Sequence, residues 1–160
     1  MGLVKLQDKT IFGMVAGVIA KFIMDIPLIL LWKLKIVQHH LSHYAGSIII
    51  DLHTLHHTWY GSVIGFLADY TYGALLGIIF IYLVTGARRV SKDQGFYLIK
   101  GLVYGAFLWL FSFGGLRSFE MVKLREITSE GALIYFPLHL LFGLALGWVV
   151  QRYERQLFLD

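Results

Sequence analysis

The chain contains no cysteine, which removes disulfides, thiolate nucleophiles and thiolate metal ligands and leaves the redox compartment unread. Charge is also scarce: 15% of the 160 residues are Asp, Glu, Lys or Arg, against about 25% in ordinary soluble domains. No Walker, G-x-S-x-G or H-E-x-x-H pattern is present, so the sequence carries no phosphate loop, nucleophile elbow or zincin helix. A hydrolase has only isolated Ser and Thr to draw on. The few basic residues flank apolar runs, which argues against nucleic-acid binding.

What fills the space is apolar. The chain is 58% hydrophobic with a mean hydropathy of +0.69, above the roughly 45–50% apolar content of soluble domains. Four windows are long enough to cross a bilayer, running about Ile11 to Leu34, Tyr60 to Val84, Gly95 to Phe113 and Gly131 to Gln151. The expected fold is all-α, a single integral membrane domain over residues 1–160 built as a bundle of four transmembrane helices. Lys5, Lys9, Arg88, Arg89, Lys92, Arg152 and Arg155 fall on one side, and Lys33, Lys35, Arg117, Lys123 and Arg125 on the other. The positive-inside rule then places both termini in the cytoplasm. The first apolar run is interrupted by Lys21 and Asp25 with no small-residue cleavage site after it, so it reads as a retained helix rather than a signal peptide. Gly2 is present, but Leu6 stands where a myristoylation signal needs Ser or Thr.

Small residues recur at four-residue spacing in Gly13 and Gly17, Gly61 and Gly65, Gly73 and Gly77, Gly101 and Gly105, and Gly143 and Gly147. Such stripes let helices approach closely in lipid, either within a chain or between copies of it. Four spans make a thin bundle, so a homo-oligomer is expected. His57 to Gly65 and His139 to Gly147 share the pattern His-x-x-aromatic-Gly-x-x-x-Gly, each after a span with an embedded lysine, Lys21 or Lys100. Read as a repeat, the two halves would be parallel about an axis along the membrane normal.

The connections differ in kind. The second, "TGARRVSKDQ", is a short basic turn; the third, "GGLRSFEMVKLREITSE", offers Thr128 or Ser129 as a cap and a short surface helix through Phe119, Val122, Leu124 and Ile127. The first, "IVQHHLSHYAGSIIIDLHTLHHTW", holds six of the seven histidines. It is too long and apolar for a plain loop, so an interfacial or re-entrant helix is expected.

Two constellations can carry chemistry. Lys21 and Asp25 lie one helical turn apart in the first span, just before Pro27, on one face where they can pair. Pro27 kinks the helix and frees a carbonyl near Phe22 or Ile23. Asp69 and His139 fall at similar depth, and Lys100 lies nearer the cytoplasmic end of its span, where it can snorkel. Left unpaired, Lys21, Asp25 and Asp69 would together cost about 8–10 kcal/mol. They form either a neutral knot that fixes helix register or a proton or ion relay, in which the aspartates bind and Lys21 and His139 tune and exchange protons.

The second constellation is histidine. His39 and His43, and His53 and His57, are spaced i, i+4, with His56 and Asp51 nearby. Two imidazoles at that spacing can hold one metal from a helix face. If the segment is one helix, the pairs lie about 40° apart around it. Zinc, iron, copper or nickel would fit such donors, and haem could be held between His56 or His57 and His139. The bland alternative is a set of interfacial histidines facing headgroups.

"HTLHH" (His53 to His57) is similar to the H-x-x-H-H box of membrane fatty-acid desaturases and hydroxylases, with "HHLSH" as a candidate first box and no third. "GMVAGVIAKFIMDIP" resembles the first span of YagU-like bacterial inner-membrane proteins, through Gly13, Ala16, Gly17, Lys21, Asp25 and Pro27. "KGLVYGAFLWLF" and "HLLFGLALGW" resemble the later spans of that group. The resemblance implies a bacterial cytoplasmic membrane and supplies no mechanism; the histidine-rich connection departs from it. The sequence therefore points first to conduction or transport of protons or a small cation. A metal- or haem-binding subunit serving a membrane complex comes second, and a structural anchor third.

Overall fold

The computed structural model describes residues 8–37, 40–86, 96–116 and 129–158, apart from the side chains at 52, 56, 86, 116, 129, 130 and 154–158. The described residues are helical, in the order α1 (Lys9–Lys33), α2 (Leu41–Gly46), α3 (Leu52–His57), α4 (Trp59–Gly86), α5 (Tyr97–Trp109), a π-helical segment (Leu110–Leu116) and α6 (Ser129–Phe158). Four stretches are long and apolar enough to cross a membrane: Lys9–Lys33, Trp59–Thr85, Tyr97–Gly115 and Gly131–Tyr153. The expected all-α four-span bundle is what forms, with span ends within two residues of the expected ones. Phe22, Ile26, Leu67, Val103 and Leu133 point outward, as suits a surface solvated by lipid chains rather than water.

Local signals account for the ends of α1. Asp8 caps it, accepting from the Thr10 amide at 2.7 Å, so a carboxylate meets the exposed N–H groups of the first turn. At the far end the Lys35 amide reaches the Trp32 carbonyl and the Ile36 amide the Leu31 carbonyl, both at 3.0 Å, closing a Schellman turn. Lys35 takes the left-handed position of that turn, with φ of 58°.

Glycine stripes decide which helices meet. A methyl group added to Gly77 would overlap the Gly13 carbonyl and lie 2.6 Å from Gly17 Cα, and Gly17 is equally closed by Gly73. This seam joins α1 to α4. Gly101 and Gly105 close in the same way on Gly143 and the His139 carbonyl, joining α5 to α6. Contact between α1 and α6 links the two pairs. Gly61 and Gly65 instead take α3 and α2 against α4. All five stripes therefore serve packing within the chain, and the expected homo-oligomer finds no vacant glycine face among them. Cross-links include Tyr104, whose hydroxyl donates to the Leu76 carbonyl at 2.8 Å, and Trp109, whose indole donates to the Ala132 carbonyl at 2.8 Å.

The repeat appears in a different register from the one read in the sequence. Gly61 and Gly65 do not face the first span; Gly73 and Gly77 do. The residue matching His139, four before the first seam glycine of its helix, is thus Asp69 rather than His57.

The first connection also differs from a single helix. Ser47 turns back to donate to the Tyr44 carbonyl at 2.7 Å, and Asp51 starts α3 afresh by capping the Thr54 amide at 2.9 Å. That break removes the expected common face of the two histidine pairs. Ser42 and Gly46 meet Gly65, six residues and about 9 Å into α4, so the connection folds back along the bundle. The basic turn with Arg88, Arg89 and Lys92, the surface helix around Phe119 to Ile127, Thr128 and His39 lie outside the described residues.

The seam predicts a contrast between two glycine positions. Gly77→Val should destabilise the fold by about 1–3 kcal/mol through overpacking, read as thermal unfolding in detergent. Gly114→Ala should change little, because nothing lies within 4 Å of the added carbon. Equal effects would contradict the seam.

Candidate functional site: a charged triad beside an apolar cleft

Lys21 sits at the midpoint of α1, and Gly73 sits at the middle of α4. A Cβ on Gly73 would lie 3.1 Å from Lys21 Cβ, so the missing side chain makes room for the lysine stem. The ammonium then reaches two carboxylates. Its partner on the same helix is Asp25 Oδ1, one turn on; Asp69 Oδ2 of α4 lies 2.8 Å away. Lys21 is 2% exposed, Asp25 6% and Asp69 5%. Asp69 thus meets the same ammonium from the second spanning helix. The Tyr70 ring lies 5.7 Å from the ammonium, and its hydroxyl is directed at Asp25. Pro27 has no N–H for the Ile23 carbonyl, which adds a free acceptor on the same helix.

The charge count matters more than the distances. One ammonium and two carboxylates sum to minus one. Buried charge is tolerated when it is compensated, and no second cationic side chain joins the group among the described residues. Balance therefore calls for a proton or an exchangeable cation.

Asp69 and Lys21 border a cleft of about 550 Å³ between α1, α2, α4, the end of α5, the π-helical segment and α6. Ile48, Ile49, Leu67 and Leu75 line its mouth and are more than half exposed, so it opens sideways from the bundle. Its polar groups are few, chiefly Tyr72, Ser112 and His139 beside the triad. Ser112 lies next to the Tyr72 hydroxyl and comes from the π-helical segment Leu110–Leu116. Such widened turns recur at functional sites. His139 Nδ1 is 2.8 Å from the Tyr135 carbonyl. A carbonyl only accepts, so Nδ1 carries a proton, and in the neutral ring Nε2 keeps the lone pair. The Phe113 ring meets the imidazole edge-on at 5.8 Å.

Of the residues expected to form the relay, the structure joins Lys21, Asp25 and Asp69 directly and brings His139 to the same cleft. Lys100 stands apart, with its ammonium over the Tyr97 ring at 5.4 Å. The histidines do not gather. His53 and His57 lie with ring centroids 4.6 Å apart and planes tilted by 45°, both exposed on α3, while His43 is half-buried in α2. Among the described residues no three His, Asp or Glu side chains form a metal-binding group; His39 and the His56 side chain lie outside the description. Asp51, one of the expected extra ligands, is spent on capping α3, and its hydrogen bonds from Thr54 hold its carboxyl below the usual range.

His40 is a residue that sequence reasoning passed over. It caps α2, with Nδ1 accepting from the Ser42 amide at 3.3 Å and lying 3.0 Å from Ser42 Oγ. Burial holds its pKa below 6.5; Asp25 opposes that shift and Lys21 adds to it. No family model, curated protein or solved structure matches the chain.

Two predictions follow from this geometry. Lys21→Ala strands both carboxylates and should destabilise the protein by about 3–5 kcal/mol, whereas Asp69→Asn leaves a neutral Lys21–Asp25 pair and should cost far less. Equal losses in thermal unfolding would contradict the charge count. For His40, the neutral form favours the fold, so its contribution is complete above pH 6.5 and declines as pH falls through its lowered folded value. Protonation also removes the Nδ1 acceptor that caps α2. The protection factors of the amides in residues 41–46, exchange rates corrected for the intrinsic pH dependence, should therefore fall between pH 7.5 and 5, and His40→Asn should abolish that fall.

Proposed function

We propose that this chain is a multi-pass protein of the bacterial cytoplasmic membrane, both termini inside, that exchanges protons or a small cation at its buried polar centre. The observation that carries this is the single lysine shared by two aspartates at mid-span. Ionisable groups inside a membrane are costly and mark ion or proton pathways, and a set with one surplus carboxylate needs a titrating or exchanging partner.

The residues take separate parts. Lys21 holds Asp25 as its fixed counter-ion. Asp69, which borders the cleft, is the exchanging carboxylate. His139 offers Nε2 as a proton acceptor on the α6 wall. The first-span resemblance to YagU-like proteins and the excess of basic residues at the expected cytoplasmic ends support the location and orientation.

The test is flux in proteoliposomes carrying an internal pH dye and an imposed proton gradient. Asp69→Asn should lower the protein-dependent rate at least ten-fold, and Lys100→Ala should leave it unchanged. Undiminished flux in Asp69→Asn would overturn the assignment.

A further inference from the structure

We infer that the cleft beside Asp69 takes a lipophilic organic cation, an apolar body bearing one positive charge, and exchanges it for the Asp69 proton. The inference rests on the proton-exchange reading of Asp69 and names what is exchanged.

Three independent features select this ligand class. The first is charge. Lys21 is already shared by two carboxylates, so once Asp69 gives up its proton the triad carries one surplus negative charge, which suits a cation and disfavours an acid. The second is the lining. A bare inorganic cation needs a shell of about six oxygens, whereas the walls are mostly Ile, Leu and aromatic side chains. The third is the rings. Tyr44, Tyr72, Phe113 and Phe142 line the same space, and aromatic faces attract desolvated cations within about 6 Å. The volume of about 550 Å³ lies within the roughly 300–1,000 Å³ of small-ligand pockets. The lateral mouth also suits a ligand that enters from the bilayer.

The exchange balances without a further reactant. The cation enters, the Asp69 carboxyl gives up its proton, and the carboxylate stays as counter-ion: one charge in, one proton out. The charged neighbours of Asp69 are Lys21 and Asp25 from α1. His139 of α6, Tyr44 of α2 and Tyr72 of α4 line the same cleft, while Tyr70 and His40 lie beside the Lys21–Asp25 pair.

The test compares two probes of one shape and opposite charge, tetraphenylphosphonium and tetraphenylborate, on purified full-length protein with protein-free micelles as the blank. Tetraphenylphosphonium should bind saturably, weaken as pH falls, and release about one proton per cation bound in weak buffer. Asp69→Asn should weaken it at least ten-fold. Leu67→Trp, which adds bulk at the mouth of the cleft and leaves the triad intact, should do the same, so the outcome stands even if the aspartate variant fails to fold. Equal or tighter binding of tetraphenylborate, binding indifferent to Leu67→Trp, or binding without proton release would each overturn the proposal. Wild-type proton flux with no tetraphenylphosphonium binding would remove the organic cation and leave the proton-exchange reading standing. Absent flux with proton-free binding would remove both.

Discussion

One ammonium shared by two carboxylates, halfway along an apolar bundle, is the interaction on which the rest of the structure turns. Burying Lys21 calls for a carboxylate partner, and burying Asp25 and Asp69 calls for Lys21, which pairs with both. Each unpaired group would cost a few kcal/mol in the middle of a bilayer. The pairing therefore fixes the rotation of α1 about its axis and its height against α4. With both carboxylates ionised it also leaves one negative charge over, and that remainder is what the proposed exchange reading builds on.

The triad can form only because the helices approach so closely. Gly13, Gly17, Gly73 and Gly77 bring the backbones of α1 and α4 into contact, and Gly73 yields its side-chain space to the lysine stem. The second seam, between α5 and α6, positions His139 at the equivalent point of its helix, four residues before Gly143. Packing between α4 and α5 is sparse by comparison, and the cleft occupies the gap. Its wall is completed by the π-helical segment, which turns Ser112 and Phe113 inward. The seams thus set both the charge and the space beside it.

Much of this was legible in the sequence. Four apolar windows interrupted by Lys21, Asp25 and Asp69 were enough for the fold and for the charged centre, since charge in lipid must find a partner. The glycine spacing identified close seams, but not which helices meet: spacing says that a face is smooth, and only the packing of the whole chain says what lies on it. The repeat misled for that reason, because His57 and His139 share a local pattern while Asp69 and His139 share a position. The common face of the two histidine pairs held only if the connection were one helix, and it is two. Ser47 and Asp51 are short polar residues that bond their own backbone and interrupt helices, and that signal stood in the sequence. The cleft was out of reach, since its walls come from every spanning helix and the first connection, with a change of helix type that no periodicity marks.

The central claim is the surplus charge of the triad. The direct measurement is infrared difference spectroscopy of the purified protein in cation-free buffer, titrated across neutral pH, beside Asp69→Asn. The account predicts a protonated-carboxyl band worth one group per chain, absent from the variant and lost when a cation binds. A protein in which both aspartates stay ionised with no cation bound, or whose protonated band survives Asp69→Asn unchanged, would contradict it.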